Sequence, residues 1–123
     1  MTDSDQSLAV AHAYTETFNK RDWDGLRAIL TPDVVSESKS HQTVKHGPDP
    51  ILEARQGNLA SHPDRHIEIV NSFANGDWAL CELLIVASDP ESGERKTLPT
   101  CHVYQIRDGK IARVTTYSDG TWR

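Results

Sequence analysis

Imidazole is the side chain whose unperturbed pKa lets it give and take protons near neutrality, and His102 is the histidine that the sequence places in the most suggestive setting. It lies in the stretch Thr100 to Asp119, where two runs rich in β-branched and aromatic residues flank Asp108-Gly109. Asp-Gly between such runs is a strong hairpin signal. The loop length decides which side chains share a face, since a one-residue slip turns a strand over. A two-residue loop pairs Ile106 with Ile111 and brings Arg113 to the face of His102 and Tyr104. A three-residue loop, with Gly109 as a left-handed bulge residue, pairs Ile106 with Lys110. The second register is the one expected here, because it keeps Arg107 and Arg113 off an otherwise mostly uncharged surface. His102, Tyr104, Ile106, Ala112, Val114, Thr116 and Ser118 then share one side. Cys101, Val103, Gln105, Ile111 and Tyr117 share the other with the two arginines. The first of these sides is a wall with one histidine among apolar and hydroxyl groups, the usual lining of a small-molecule pocket.

Other groups compete for a role. Tyr14 is either a donor to a ligand oxygen or a core aromatic whose hydroxyl reaches the surface. His102 itself has the alternative of a structural histidine bonded to a hydroxyl. Glu37 and Asp119 are candidate bases or solvated strand-end charges. Glu82 interrupts an apolar run, where an unpaired buried carboxylate would be costly; Arg113 or water at a dimer boundary would relieve it. His62 and His66 are four apart, but Pro63 between them breaks a helical ligand pair, and no further Cys or His completes a metal site. Gly-rich phosphate loops and Gly-x-Ser-x-Gly are absent, so no cofactor is expected.

These residues need elements to position them. Over residues 4–20, Val10, Tyr14 and Phe18 recur every four positions, giving an amphipathic helix that Asp3 or Ser4 caps. A shorter helix from Asp22 carries Trp23, Leu26, Ile29 and Leu30 and stops at Thr31-Pro32. Val34 to Ser38 reads as a short strand, and His41 to His46 as an ambiguous edge. Gly47-Pro48-Asp49-Pro50 starts a third helix with Asp49 as its cap, and Ile51, Leu52, Arg55 and Leu59 form its inner side. From Arg65 the period becomes two, and three turns separate four long strands. Trp78 to Ser88 is apolar enough for a strand covered on both faces. Helices first and a strand meander after predict an α+β domain, with three helices on one face of a curved antiparallel sheet.

The 123 residues suit one domain, 1–123. With 37% hydrophobic and 25% charged residues the composition is that of a globular chain. A net charge of −5 and the lack of a basic stripe exclude a nucleic-acid binder. No apolar run is long enough for a signal or a membrane span, so no membrane partner and a cytoplasmic location are expected. Cys81 and Cys101 read as reduced thiols in apolar strands.

The element order, with Tyr14…Phe18-Asn19…Asp22-Trp23-Asp24-Gly25-Leu26 early and Tyr104-Gln-Ile-Arg-Asp-Gly-Lys-Ile111 late, resembles the nuclear-transport-factor-2-like superfamily and within it the SnoaL-like group. The resemblance implies a cone-shaped curved sheet packed on three N-terminal helices. Relatives include ketosteroid isomerases, polyketide cyclases and scytalone dehydratase. By similarity to the isomerases, Tyr14 and His102 fall on the two groups that hold an enolate oxygen, and Ser38 falls on the base. SnoaL-type cyclases have a histidine at His102, while their aspartate falls on Thr116. The dehydratase has histidines matching His66 and His102, its phenols fall on Phe18 and Ser38, and an aspartate falls on Asn19. One expectation is therefore a cofactor-independent isomerase, dehydratase or cyclase. It would act on a small lipophilic carbonyl or hydroxyl compound, with His102 shuttling the proton and Tyr14 polarising oxygen. Phe18, Trp23, His66, Tyr104, Val114, Thr116 and Asp119 would line a cavity under the first helix. The alternative is a ligand-binding or assembly module without chemistry. Both permit a homodimer through the outer sheet face, at Cys101, Val103, Ile111 and Tyr117.

Overall fold

The computed structural model describes residues 3–123. The first helix, α1 (Asp3–Lys20), turns Ala11, Tyr14 and Phe18 into the core, as their spacing of three and four residues requires. Helix α2 (Trp23–Ala28) is capped by Asp22, whose carboxylate accepts from the Gly25 N–H at 3.0 Å. It ends sooner than its apolar pattern suggests, because Leu30 already opens strand β1 (Leu30–Ser38). Strand β2 (Thr43–His46) pairs back onto β1, resolving the ambiguous polar stretch as an edge strand.

Helix α3 (Pro48–Ser61) starts from Gly47, at φ 84°, not from an Asp49 cap. Among the described residues no side chain caps α3, and the exposed Asp49 carboxylate instead takes a 2.6 Å ion pair from Arg27. The remaining strands are β3 (His66–Asn75), β4 (Trp78–Ser88), β5 (Arg95–Arg107) and β6 (Lys110–Tyr117).

The sheet order is β2-β1-β6-β5-β4-β3. The expected antiparallel meander is present from β3 to β6, but the sheet is mixed, because β1 runs parallel to β6. A strand read only from its own residues gives no sign of this, since its partner lies at the far end of the chain.

The β5–β6 hairpin has neither of the two simple registers. Its loop is the two residues Asp108 and Gly109, both at positive φ (54° and 75°), and Ile106 faces Ile111. One residue later the register shifts, so that Gln105 faces Arg113, Tyr104 faces Val114 and His102 faces Thr116. The bulge at Ala112 is what lets Ile111 and Val114 both point inward, where each is fully buried. His102, Tyr104, Val114 and Thr116 thus share a face as expected. Ile111 moves from the outer face to the core.

Strand β4 is not covered evenly. Ala79, Cys81, Leu83 and Ile85 face the core, while Glu82 is exposed on the outer face and accepts from the Asn71 amide at 2.7 Å. Cys81 points inward and Cys101 outward, and both are free thiols. Burial, with Cys101 nearby, pushes the Cys81 thiol up to about 11.

Candidate functional site

A cavity of about 340 Å³ opens between α3, the β1–β2 edge and the inner face of β4–β6. None of its lining residues comes from α1, whose Ala11, Tyr14 and Phe18 are buried in the core. Its apolar side comes from Ile51 and Ala54 on α3 with Ile85 and Leu98 from the sheet. Its polar side carries hydroxyls, among them Ser36 and Ser38 from β1 and Thr100 and Thr116 from β5 and β6. Arg55 and Asn58 reach in from α3, Arg65 from the loop before β3, and Lys45 and His41 from the β1–β2 edge.

His102 belongs to this lining although none of its surface is exposed, so it lies at the cavity floor. Its Nδ1 is 2.9 Å from the Tyr104 hydroxyl, and the two rings meet edge to face at 5.7 Å. Its Nε2 has no partner among the described residues. In either tautomer Nε2 is therefore the ring atom left over. It is an N–H donor if Tyr104 donates to Nδ1, and a lone-pair acceptor if Nδ1 donates to Tyr104. Burial first, then Arg55 and Arg65, pulls the imidazole down to about 3. That favours the neutral form of the ring at physiological pH.

Tyr14 is buried beside it, with ring centroids 5.8 Å apart. Its hydroxyl accepts from Arg55 Nε at 3.0 Å and from an Arg55 terminal nitrogen at 2.6 Å. Tyr14 is not a cavity wall. It orients the arginine that is one.

Of the other sequence-derived site residues, Thr116 lines the cavity. Tyr104 stands one layer behind, through its bond to His102. Phe18 and Val114 are core residues, and Phe18 packs edge to face against the half-buried Trp23 at 6.1 Å. Trp23 borders a separate surface depression beside Asp49. His66 turns outward, because Ile67 faces the core, and meets Glu68 at 3.2 Å. Asp119 is exposed and paired with Arg123 at 2.6 Å. Glu37 also faces outward; Lys39 first and Arg113 next hold its carboxyl below the usual range. The candidate bases Glu37 and Asp119 thus lie away from the cavity.

Sequence reasoning missed Arg55, Arg65 and His41. Arg55 had a usable signal, since a cation four residues after Ile51 on the apolar side of a helix must point at something. His41 sits at the rim, its Nδ1 within 3.2 Å of Ser38 Oγ and 3.3 Å of Ser40 Oγ. Among the described residues no group of three His, Cys, Asp or Glu side chains is arranged to hold a metal. Nor is any helix long and apolar enough to cross a membrane.

A family model described as a SnoaL-like domain matches residues 11–114. The chain belongs to the SnoaL-like domain family. Among solved structures, a candidate ketosteroid isomerase from Kribbella flavida DSM 17836 is similar at 25% identity and a TM-score of 0.83, covering 100% of this chain and 84% of its own. IdmH, a candidate polyketide cyclase from Streptomyces antibioticus, superposes with a TM-score of 0.86 at 21% identity, over 93% of this chain and 92% of its own. A candidate polyketide cyclase from Xanthomonas campestris pv. campestris is 25% identical, with a TM-score of 0.82, over 94% and 92% of the two chains. No curated protein matches the chain. These SnoaL-like neighbours establish a nuclear-transport-factor-2-like α+β fold whose relatives carry isomerase and cyclase names. Fold alone does not fix a reaction.

Proposed function

We propose that the chain holds a small oxygen-bearing molecule in the α3 cavity and acts on it without a cofactor, as an isomerase or cyclase that works by stabilising an oxyanion. One observation carries this reading: His102 Nε2, fully buried in the cavity floor, has no partner among the described residues. Leaving such a group unsatisfied costs about 1–3 kcal/mol, which a ligand oxygen offsets. A neutral imidazole beside guanidinium groups suits a developing negative oxygen, provided Nε2 carries the hydrogen. Proton transfer would then fall to His41 at the rim, the other histidine in the lining.

The second reading, a ligand-binding module without chemistry, is favoured by the absence of any Asp or Glu from the lining residues. Solvent deuterium separates the two. Incorporation next to the carbonyl of a model cyclic ketone, lost in His102→Ala, supports catalysis, whereas binding of the ketone with no exchange supports the inert module. Native mass spectrometry adds a check on the cavity itself. A compound that co-purifies with the wild type is expected to be absent from His102→Ala, and unchanged retention would sink the assignment.

We also infer a homodimer through the outer sheet face. Phe73, Trp78 and Tyr117 are 61%, 49% and 46% exposed there. The half-buried Leu80 and Val103 lie in the same row as Phe73, and Cys101 pairs with Tyr117. Contiguous exposed apolar surface of this kind marks an interface. Native mass spectrometry is expected to give twice the chain mass for the wild type and a single mass for Phe73→Glu. A monomeric wild type overturns the inference.

A further inference from the structure

Resting on the reading of the cavity as a small-molecule site, we propose that its ligand carries a carboxylate, paired with the guanidinium groups of Arg55 and Arg65 beside His102. The pattern of ion pairs points there. On the surface, Arg27, Arg95, Arg107, Arg113 and Arg123 each meet an acidic partner. Arg21 instead gives its guanidinium to the backbone carbonyls of Phe18, Pro63 and Arg65. Arg55 and Arg65, half-buried in the cavity wall, meet no acidic partner among the described residues. This inverts the usual rule, because it is the buried charge that most needs an opposite one.

What does contact these two arginines fixes their direction and leaves their charge intact. Arg55 donates twice to Tyr14 Oη and lies 5.1 Å over that ring. The guanidinium of Arg65 lies 5.5 Å over Trp122, and its backbone carbonyl accepts from Arg21 at 2.6 Å. Burial, and then the nearby Arg55, pulls Arg65 down to about 10, so the two cations are close enough to repel. Held in place and mutually repelling, they form an electrostatic site that lacks its counter-charge.

The surrounding charge agrees. The chain carries 18 acidic and 13 basic residues, a net −5. Yet the lining holds Arg55, Arg65 and Lys45 and no acid. A basic cavity in an acidic protein focuses field lines on anions. A guanidinium fork matches a planar carboxylate, and a neutral Nε2–H would add a further donor. Phosphate is disfavoured because no Gly-rich loop contributes backbone N–H groups to the wall. Ile51, Ile85 and Leu98 offer the apolar body of the ligand its contact. At about 340 Å³ the space suits one or two fused rings.

The test uses the full chain titrated with naphthoate, naphthamide and naphthyl phosphate, followed by calorimetry and by the amide NMR shifts of residues around the cavity. Naphthoate is expected to bind at least roughly tenfold more tightly than naphthamide, to weaken with added salt, and to lose that preference in Arg65→Gln while Arg65→Lys keeps part of it. Arg65 is the variant of choice because its loss leaves the Tyr14–Arg55 bonds in place. Equal binding of acid and amide, unaffected by Arg65→Gln, overturns the carboxylate assignment and leaves the cavity reading standing. Tighter binding of the phosphate than of the acid overturns it too. If no probe perturbs the cavity at millimolar concentration, the small-molecule site and the inference fall together.

Discussion

Acidifying the protein from pH 6.5 to about pH 4.5 is expected to remove on the order of 2–3 kcal/mol of folding stability through one side chain, His102. The ordinary imidazole value is 6.5, and in the fold burial, with help from Arg55 and Arg65, lowers it to about 3. As the pH falls through 6.5 the unfolded chain takes up a proton that the folded chain refuses, so acid favours unfolding. The contribution is fully present above 6.5 and is lost progressively towards 3. Each pH unit in that window is worth about 1.4 kcal/mol. Asp33, Asp64 and Asp119 also have lowered pKa values, but from an ordinary value of 3.8, so their part in acid unfolding comes at lower pH. Urea midpoints of wild type and His102→Leu, compared between neutral pH and about pH 5, isolate the term. The wild type is expected to show the steeper loss by about 2 kcal/mol at the lower pH. Parallel slopes would mean that the ring reaches water and titrates normally.

The same burial explains which parts of the site were legible in sequence. Alternation along β5 fixes which side His102 and Tyr104 occupy, because the core takes Tyr104 and Ile106 from the same parity. Which parity of β6 meets them is set by the bulge at Ala112, and there the local signals conflict. Asp108-Gly109 demands a two-residue turn, while Ile111 and Val114 both demand the core. Only an inserted residue satisfies all three demands, so the simple registers each capture half of the answer. His66 illustrates the reverse case, since the core position of Ile67 settles that its neighbour faces outward.

The position of the α3 cavity is not legible in sequence for a different reason. Periodicity shows that Tyr14 and Phe18 face the sheet, where both are buried, but it cannot show where the packing leaves a gap. The gap lies under α3, where Arg55 takes a position on the apolar side of the helix that would otherwise seal the core. Parallel pairing of β1 with β6 then brings Ser36 and Ser38 alongside Val114 and Thr116, which extends the hydroxyl-rich wall. Neither event is local, and neither leaves a mark in a window of neighbouring residues.

Replacing Tyr104 with Phe is expected to have the second large effect, because the phenol is the partner of His102 Nδ1. Removing it orphans a second ring nitrogen in a residue with no exposed surface, which costs about 1–3 kcal/mol. The lost hydroxyl also frees the tautomer. If Tyr104 donates to Nδ1, as the oxyanion reading requires, the wild-type ring carries its hydrogen on Nε2, and nitrogen-15 NMR of the imidazole is expected to show that form alone. In Tyr104→Phe either nitrogen can carry the hydrogen, so the spectrum should become a mixture and binding of naphthoate should weaken several-fold while folding, followed by circular dichroism, persists. A wild-type ring protonated on Nδ1 would instead leave a lone pair in the cavity floor, and a lone pair repels the oxygen anion that Arg55 and Arg65 attract. In that event Nε2 would face a donor on the ligand, such as a hydroxyl, with the carboxylate held by the arginines alone. The oxyanion mechanism would then fail even if the carboxylate preference survived.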